Sequence, residues 1–382
     1  MSTRRYNPVW DFGAAGFVPG DTVTKSKKPS SKPKGLPYLL KMGPMADALA
    51  VTPVDLPKVR APSTDDLKVT VPMPADLTQD DLLRRFHELK RTHAKTRDRA
   101  AGEAVALGDD VQLDTLGYCE GKLIPFSARF SLWLELAPQA TLPGFSEAIA
   151  GEKVGDSLEI ELKIPDDYPV EALRGKPARF IVDIRAAREV TEPDDEAPAF
   201  LKAMNKGKSL DAVMNAIREE LEDELTDILT LEGQDLVLDA LVERSEVQVP
   251  QALIDEEVRR RWGQLEGKAL VERGFDSTEQ QEALDSWLTD PLTRTDAERR
   301  LKIALVLKAI TERDKLQLTP EKLEELATIS AEPFGLSADE VKKGLRESKQ
   351  LTAQMAQTAW HLLAVEYVMS QASITYEGAS QP

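Results

Sequence analysis

The hydrophobic period of this chain changes along its length, and that change limits what it can fold into. From Gly108 to Ala187 apolar residues alternate with polar ones: Val111 and Leu113, then Leu158, Ile160, Leu162 and Ile164, then Phe180, Val182 and Ile184. A two-residue period turns one face of a strand toward a core and the other toward solvent. Between these strands Gly144-Phe145-Ser146-Glu147-Ala148-Ile149 accommodates one short helix, and Gly117, Gly121, Gly151 and Gly155 mark turns. Further on, Leu210, Val213, Met214, Ile217, Leu221, Leu225 and Ile228 follow a period of about 3.6 residues, the signature of an amphipathic helix. The expected fold class is α+β, with a small antiparallel β domain over residues 108–187 and a large, elongated all-α body over residues 188–382.

Composition agrees with an extended helical protein, since only 5% of the residues are aromatic and 30% are charged. A net charge of −17 argues against DNA as a partner, because phosphates are bound by clustered Lys and Arg. The single cysteine, Cys119, has no partner for an internal disulfide and reads as a small core thiol. The first residues lack the apolar core of a signal peptide, and no uncharged apolar run is long enough to span a bilayer. The expected location is the cytoplasm, with no membrane partner.

Residues 1–45 stand apart, with eight Lys or Arg against two Asp, a net +6, so that the remainder carries −23. Ser26-Lys27-Lys28-Pro29-Ser30-Ser31-Lys32-Pro33-Lys34 has no means of burying a core, and the segment is expected to be a disordered basic tail. Tyr6, Trp10, Phe12 and Phe17 within it are candidate anchors for a specific partner. Residues 46–107 read as linker strands and one helix. Thr78 and Asp81 cap that helix, and Leu82, Phe86 and Leu89 form an apolar face that must pack on the helical body. His87 and His93 have no metal-ligand spacing around them. Ser209 is expected to cap the next helix, Pro250 to open another that ends at Gly274, and Thr319-Pro320-Glu321 to start one more. Capping boxes are expected at Ser277/Gln280, Thr295/Glu298 and Ser337/Glu340, giving helices of short to moderate length.

Neither a Ser-His-Asp arrangement, nor a phosphate-binding Gly-rich loop, nor Cys/His metal spacing is present, so no cofactor or ATP is expected. Two runs carry a resemblance instead. Leu142-Pro143-Gly144-Phe145, Gly151-Glu152-Lys153-Val154-Gly155 and Ile164-Pro165-Asp166-Asp167-Tyr168, in that order, resemble the FKBP-type prolyl isomerase domain of the trigger factor family. Downstream, Val249-Pro250-Gln251-Ala252-Leu253-Ile254 resembles the Val-Pro-x-x-Leu-Ile run that opens a long helix of that family's chaperone body. The resemblance spans roughly residues 50–375. The family's ribosome-docking domain and its Gly-Phe-Arg-x-Gly loop have no counterpart, since Gly16-Phe17-Val18-Pro19-Gly20 lacks the Arg, and ribosome contact through that loop is not expected.

Carried over by position, the resemblance implies an apolar substrate pocket made by Leu142, Phe145, Tyr168 and Phe180. Other positions depart from the family: Thr115 and Leu132 stand where aromatics are expected, unless a gap brings Phe130 or Trp133 into the second position, and Ile124-Pro125 replaces a Phe and an acidic residue. Plain core packing explains Phe145 and Phe180 equally well. Three functions follow. The first is an ATP-independent chaperone, binding unfolded or nascent polypeptide in a helical cradle, with a weak or inactive isomerase domain. The second is an active peptidyl-prolyl isomerase, and the third is a dedicated assembly factor docked to one partner through the basic tail.

Overall fold

The computed structural model describes residues 56–74, 76–137, 142–168, 170–331 and 337–377. The expectations for the tail over residues 1–45 lie outside the described residues. Along the chain the elements run β1 (Lys68–Val71), α1 (Gln79–Thr92), β2 (Lys95–Asp98), β3 (Asp110–Cys119), β4 (Lys122–Leu123) and β5 (Arg129–Glu135). Next come α2 (Phe145–Ile149), β6 (Ser157–Lys163), β7 (Pro177–Thr191), α3 (Pro198–Met204), α4 (Leu210–Glu243) and α5 (Gln251–Trp262). A π-helical turn, Gly263–Gly267, leads into α6 (Lys268–Glu272), α7 (Ser277–Thr289), α8 (Pro291–Arg313), α9 (Pro320–Ala331), α10 (Ala338–Glu347), α11 (Lys349–Gln371) and β8 (Ser373–Tyr376). The fold is α+β.

The described residues divide into two units, 77–221 with 261–293, and 56–76 with 222–260 and 294–377. In the first, β7 is the central strand of an antiparallel sheet, paired to β3, β6 and the short β2, while β3 also pairs β4 and β5. The alternation seen in the sequence becomes its core: Val111, Leu113, Ile160, Phe180, Val182 and Ile184 are buried with Ile149 and Ile164. The sheet takes in Lys95–Asp98, upstream of Gly108, because β7 continues past Ala187 to Thr191 and pairs with it; Arg97 on that strand also meets Glu189 (2.7 Å) and Glu103 (2.6 Å). Leu82 and Phe86 of α1 pack on Phe200, Leu201 and Met204 of α3 and on Val213 and Ile217 of α4. Thr78 and Asp81 form the capping box of α1.

In the second unit α4 packs closely over a parallel β1–β8 pair. A Cβ at Gly233 would already lie 3.3 Å from Ile374 and 3.4 Å from Val71. Arg299 of α8 donates to Asp239 (2.6 Å) on α4, and Arg244 donates to the carbonyls of Asp65 and Asp66. Leu326, Ala327 and Ala331 of α9 pack on Val341 of α10 and on Ala359 and Leu362 of α11.

Three expectations for the helices are corrected. The box at Ser277/Gln280 sits one residue earlier: Asp276 accepts from the N–H groups of Thr278 and Glu279, and Glu279 accepts from that of Asp276. Thr295 and Glu298 lie inside α8, which Pro291 has already begun, with the Asp290 carboxylate accepting from Thr293 N–H (2.7 Å). The helices are also longer than expected, 34 residues in α4 and 23 in each of α8 and α11. Their stability comes from tertiary burial along one face, which local signals do not report.

Candidate functional site

Strand β7 and the start of α2 bring the four implied pocket residues into one cluster. Leu142, Phe145, Tyr168 and Phe180 are 1%, 1%, 3% and 1% exposed, all within the core of the β domain. Phe145 meets Phe180 edge-on, ring centroids 5.6 Å apart at 83°. Burial pushes the Tyr168 phenol up to about 12, as desolvation of its anion requires. The cluster is thus apolar and well packed in this conformation, and a proline ring reaches Phe145 only after a neighbour moves.

The departures at the rim have clear structural roles. Thr115, buried on β3, donates its hydroxyl to Ser127 O (3.3 Å), so it ties down the loop between β4 and β5 where an aromatic would line a pocket. Ile124 is part of the same core. Leu132 and Trp133 lie on β5, where the Arg188 guanidinium covers the Trp133 ring at 4.2 Å. Phe130 faces Phe275 at 6.3 Å and Arg273 at 5.1 Å. Neither Phe130 nor Trp133 is among the residues of the buried cluster.

Several residues that the sequence did not single out organise this unit. Glu266 in the π-helical turn is fully buried, accepting from Ala128 N–H (2.8 Å) and from Trp287 Nε1–H (2.5 Å). Burial pushes its carboxyl up to about 7, against those hydrogen bonds and the Arg129 charge. Phe126 lies against Trp287, centroids 4.1 Å apart. Asp114, at an irregularity in the β3–β5 pairing, holds Arg185 (2.6 Å), Arg273 (2.8 Å) and Ser131 N–H (2.7 Å). His87 pairs with Glu135 (3.0 Å) and Glu192 (3.4 Å) rather than lying free in solvent. Among the described residues no group of three His, Cys, Asp or Glu is arranged to hold a metal.

Apolar side chains are also exposed away from this cluster. Leu83, Leu265, Val271 and Leu292 in the first unit, and Met73, Ile228 and Trp360 in the second, are between 38% and 58% exposed. They are separated along the chain. Ile228 lies on α4, which carries eleven Asp or Glu and one Arg. Among the described residues no helix is long and apolar enough to cross a membrane.

Residues 209–370 match a family model described as bacterial trigger factor protein (TF) C-terminus, which takes in the helices from α4 to α11. The chain is trigger factor-like. Trigger factor of Shouchella clausii is 29% identical over 75% of this chain and 66% of its own length. Trigger factor of Idiomarina loihiensis is 27% identical over 85% of the chain and 72% of its own length. The trigger factor-like chain thus spans about two thirds to three quarters of the length of these relatives. A solved structure described as "Promiscuous Substrate Recognition in Folding and Assembly Activities of the Trigger Factor Chaperone" covers 82% of this chain and 72% of its own, at 18% identity and a TM-score of 0.33.

Proposed function

We propose that this trigger factor-like chain is an ATP-independent chaperone of the cytoplasm that holds unfolded or nascent polypeptide, with a β domain that is weak or inactive as a prolyl isomerase. The observation that carries the reading is the set of half-exposed apolar side chains, above all Ile228 on the acidic helix α4 and Trp360 on α11. Apolar contact supplies affinity for any unfolded segment, and like charge keeps copies of the chaperone apart. Weak isomerisation follows from the burial of Phe145 and Phe180 and from the Thr115 tether, because acceleration of a barrier of about 18–20 kcal/mol requires the imide to sit inside the apolar cluster.

Light scattering of a chemically unfolded client tests this directly. Without nucleotide, equimolar chain should suppress aggregation, and Ile228→Ser with Trp360→Ser should reduce suppression while leaving the helical circular dichroism unchanged. Unchanged aggregation at several-fold excess of the native chain overturns the proposal.

A further inference from the structure

The loop from Ile124 to Arg129 joins β4 to β5 and lies against the Phe180 ring. A Cβ placed on Gly117 would come within 2.7 Å of Phe180 Cε1 and 3.1 Å of Ser127 Cβ, so ring and loop crowd the same point of β3. Ser127 fixes the loop there, its Oγ accepting from Gly117 N–H (3.1 Å) and donating to Gly117 O (3.0 Å). The same loop is held by the helical hairpin over residues 261–293. Glu266 accepts from Ala128 N–H and the Trp287 ring lies tilted against Phe126, while Arg273 ties the hairpin to the sheet, at Ser131 Oγ of β5 (2.9 Å) and Asp114 of β3 (2.8 Å). The Glu266 and Trp287 contacts join loop to helix, whereas the strand ladders of β3 with β7 and of β7 with β6 hold the sheet itself together.

We infer that the hairpin is an autoinhibitory clamp: by pinning Ile124–Arg129 it keeps an X-Pro segment of a client away from Phe145 and Phe180. The inference rests on reading Leu142, Phe145, Tyr168 and Phe180 as a proline-binding cluster. Displacing the hairpin frees the loop and uncovers the apolar rings beneath it, giving a site of the concave, mainly apolar kind that binds small groups. The hairpin also offers a client something to pull on, since Leu265 and Val271 are half exposed on it. Engagement of an unfolded chain there and opening of the cluster are then one event, a population shift between clamped and released states.

The full chain and its Glu266→Ala variant are compared by hydrogen exchange and by the isomerisation rate of a short Phe-Pro peptide. Deleting the buried acceptor strands the Ala128 and Trp287 donors, so exchange over Gly117–Ala128 should rise at least about tenfold while the β6–β7 ladder stays protected. Isomerisation should rise with it, and Phe145→Ala in the released background should remove the gain. Should Glu266→Ala fail to fold, Trp287→Phe keeps an aromatic ring in a smaller side chain and deletes the indole donor. Unchanged exchange overturns the clamp. A wild-type chain that already isomerises at the rate of the variant also overturns it, while leaving the proline-binding cluster intact. Raised exchange with no turnover, and no footprint of the peptide at Phe145, removes the cluster reading and the clamp with it.

Discussion

Gly117 has room for a hydrogen and nothing more, because the Phe180 ring and Ser127 already occupy the space of a methyl group. Gly117→Ala should therefore cost about 1–3 kcal/mol through overpacking, read as a lower urea midpoint of the β domain, and should move the Phe180 ring relative to Phe145. Unchanged stability would contradict this account of the core. Glu266 makes a prediction about pH. Burial disfavours the anion and pushes its carboxyl up to about 7, from the 4.5 of a solvated glutamate. Its neighbours are one charge, Arg129 on β5, and neutral donors from the Phe126 and Ala128 backbone and from Trp287. A raised acid favours the folded contact most below about pH 4.5, and that advantage is lost as pH rises through about 7, a change of about 3 kcal/mol. Protection of the Ala128 amide, corrected for its intrinsic exchange rate, should fall between pH 5 and 8 in the native chain and stay level in Glu266→Gln. A level profile in both would refute the assignment.

Among the elements, the capping of α7 gives the sharpest contrast. Asp276 and Ser277 each begin a box-like pattern, ending at Glu279 and Gln280, and the two registers overlap. The structure uses the charged pair, which suits the positive end of a helix better than a hydroxyl and an amide. Asp276→Ala should cost about 1 kcal/mol in a thermal or urea melt, while Ser277→Ala should stay within about 0.5 kcal/mol. The reverse order would restore the register read from the sequence. Strands β3, β6 and β7 were legible because each buries one face and so imposes the two-residue period. The π-helical turn was not, because the contact made from it is tertiary: Glu266 reaches the Ala128 amide, far away in the sequence. Nor did the alternation of Phe180, Val182 and Ile184 tell whether these rings line a pocket or fill a core, since both demand apolar residues at the same positions.

For the molecule as a whole, the acidic helices and the succession of β region and helical region were readable from charge and period. The exposed residues proposed to contact clients were not, because Ile228 and Leu225 occupy the same helical pattern and only packing decides which is left half exposed. Contact between such residues and unfolded chains is measured by site-directed photocrosslinking. A photoreactive residue placed singly at Ile228, Val271 or Trp360, and at buried Trp287 as a reference, is mixed without nucleotide with one of several unrelated clients, unfolded or folded. The account predicts adducts from the three exposed positions with every unfolded client, little from Trp287, and none with the folded forms. Adducts with a single client alone, or equal yields from exposed and buried positions, would contradict it.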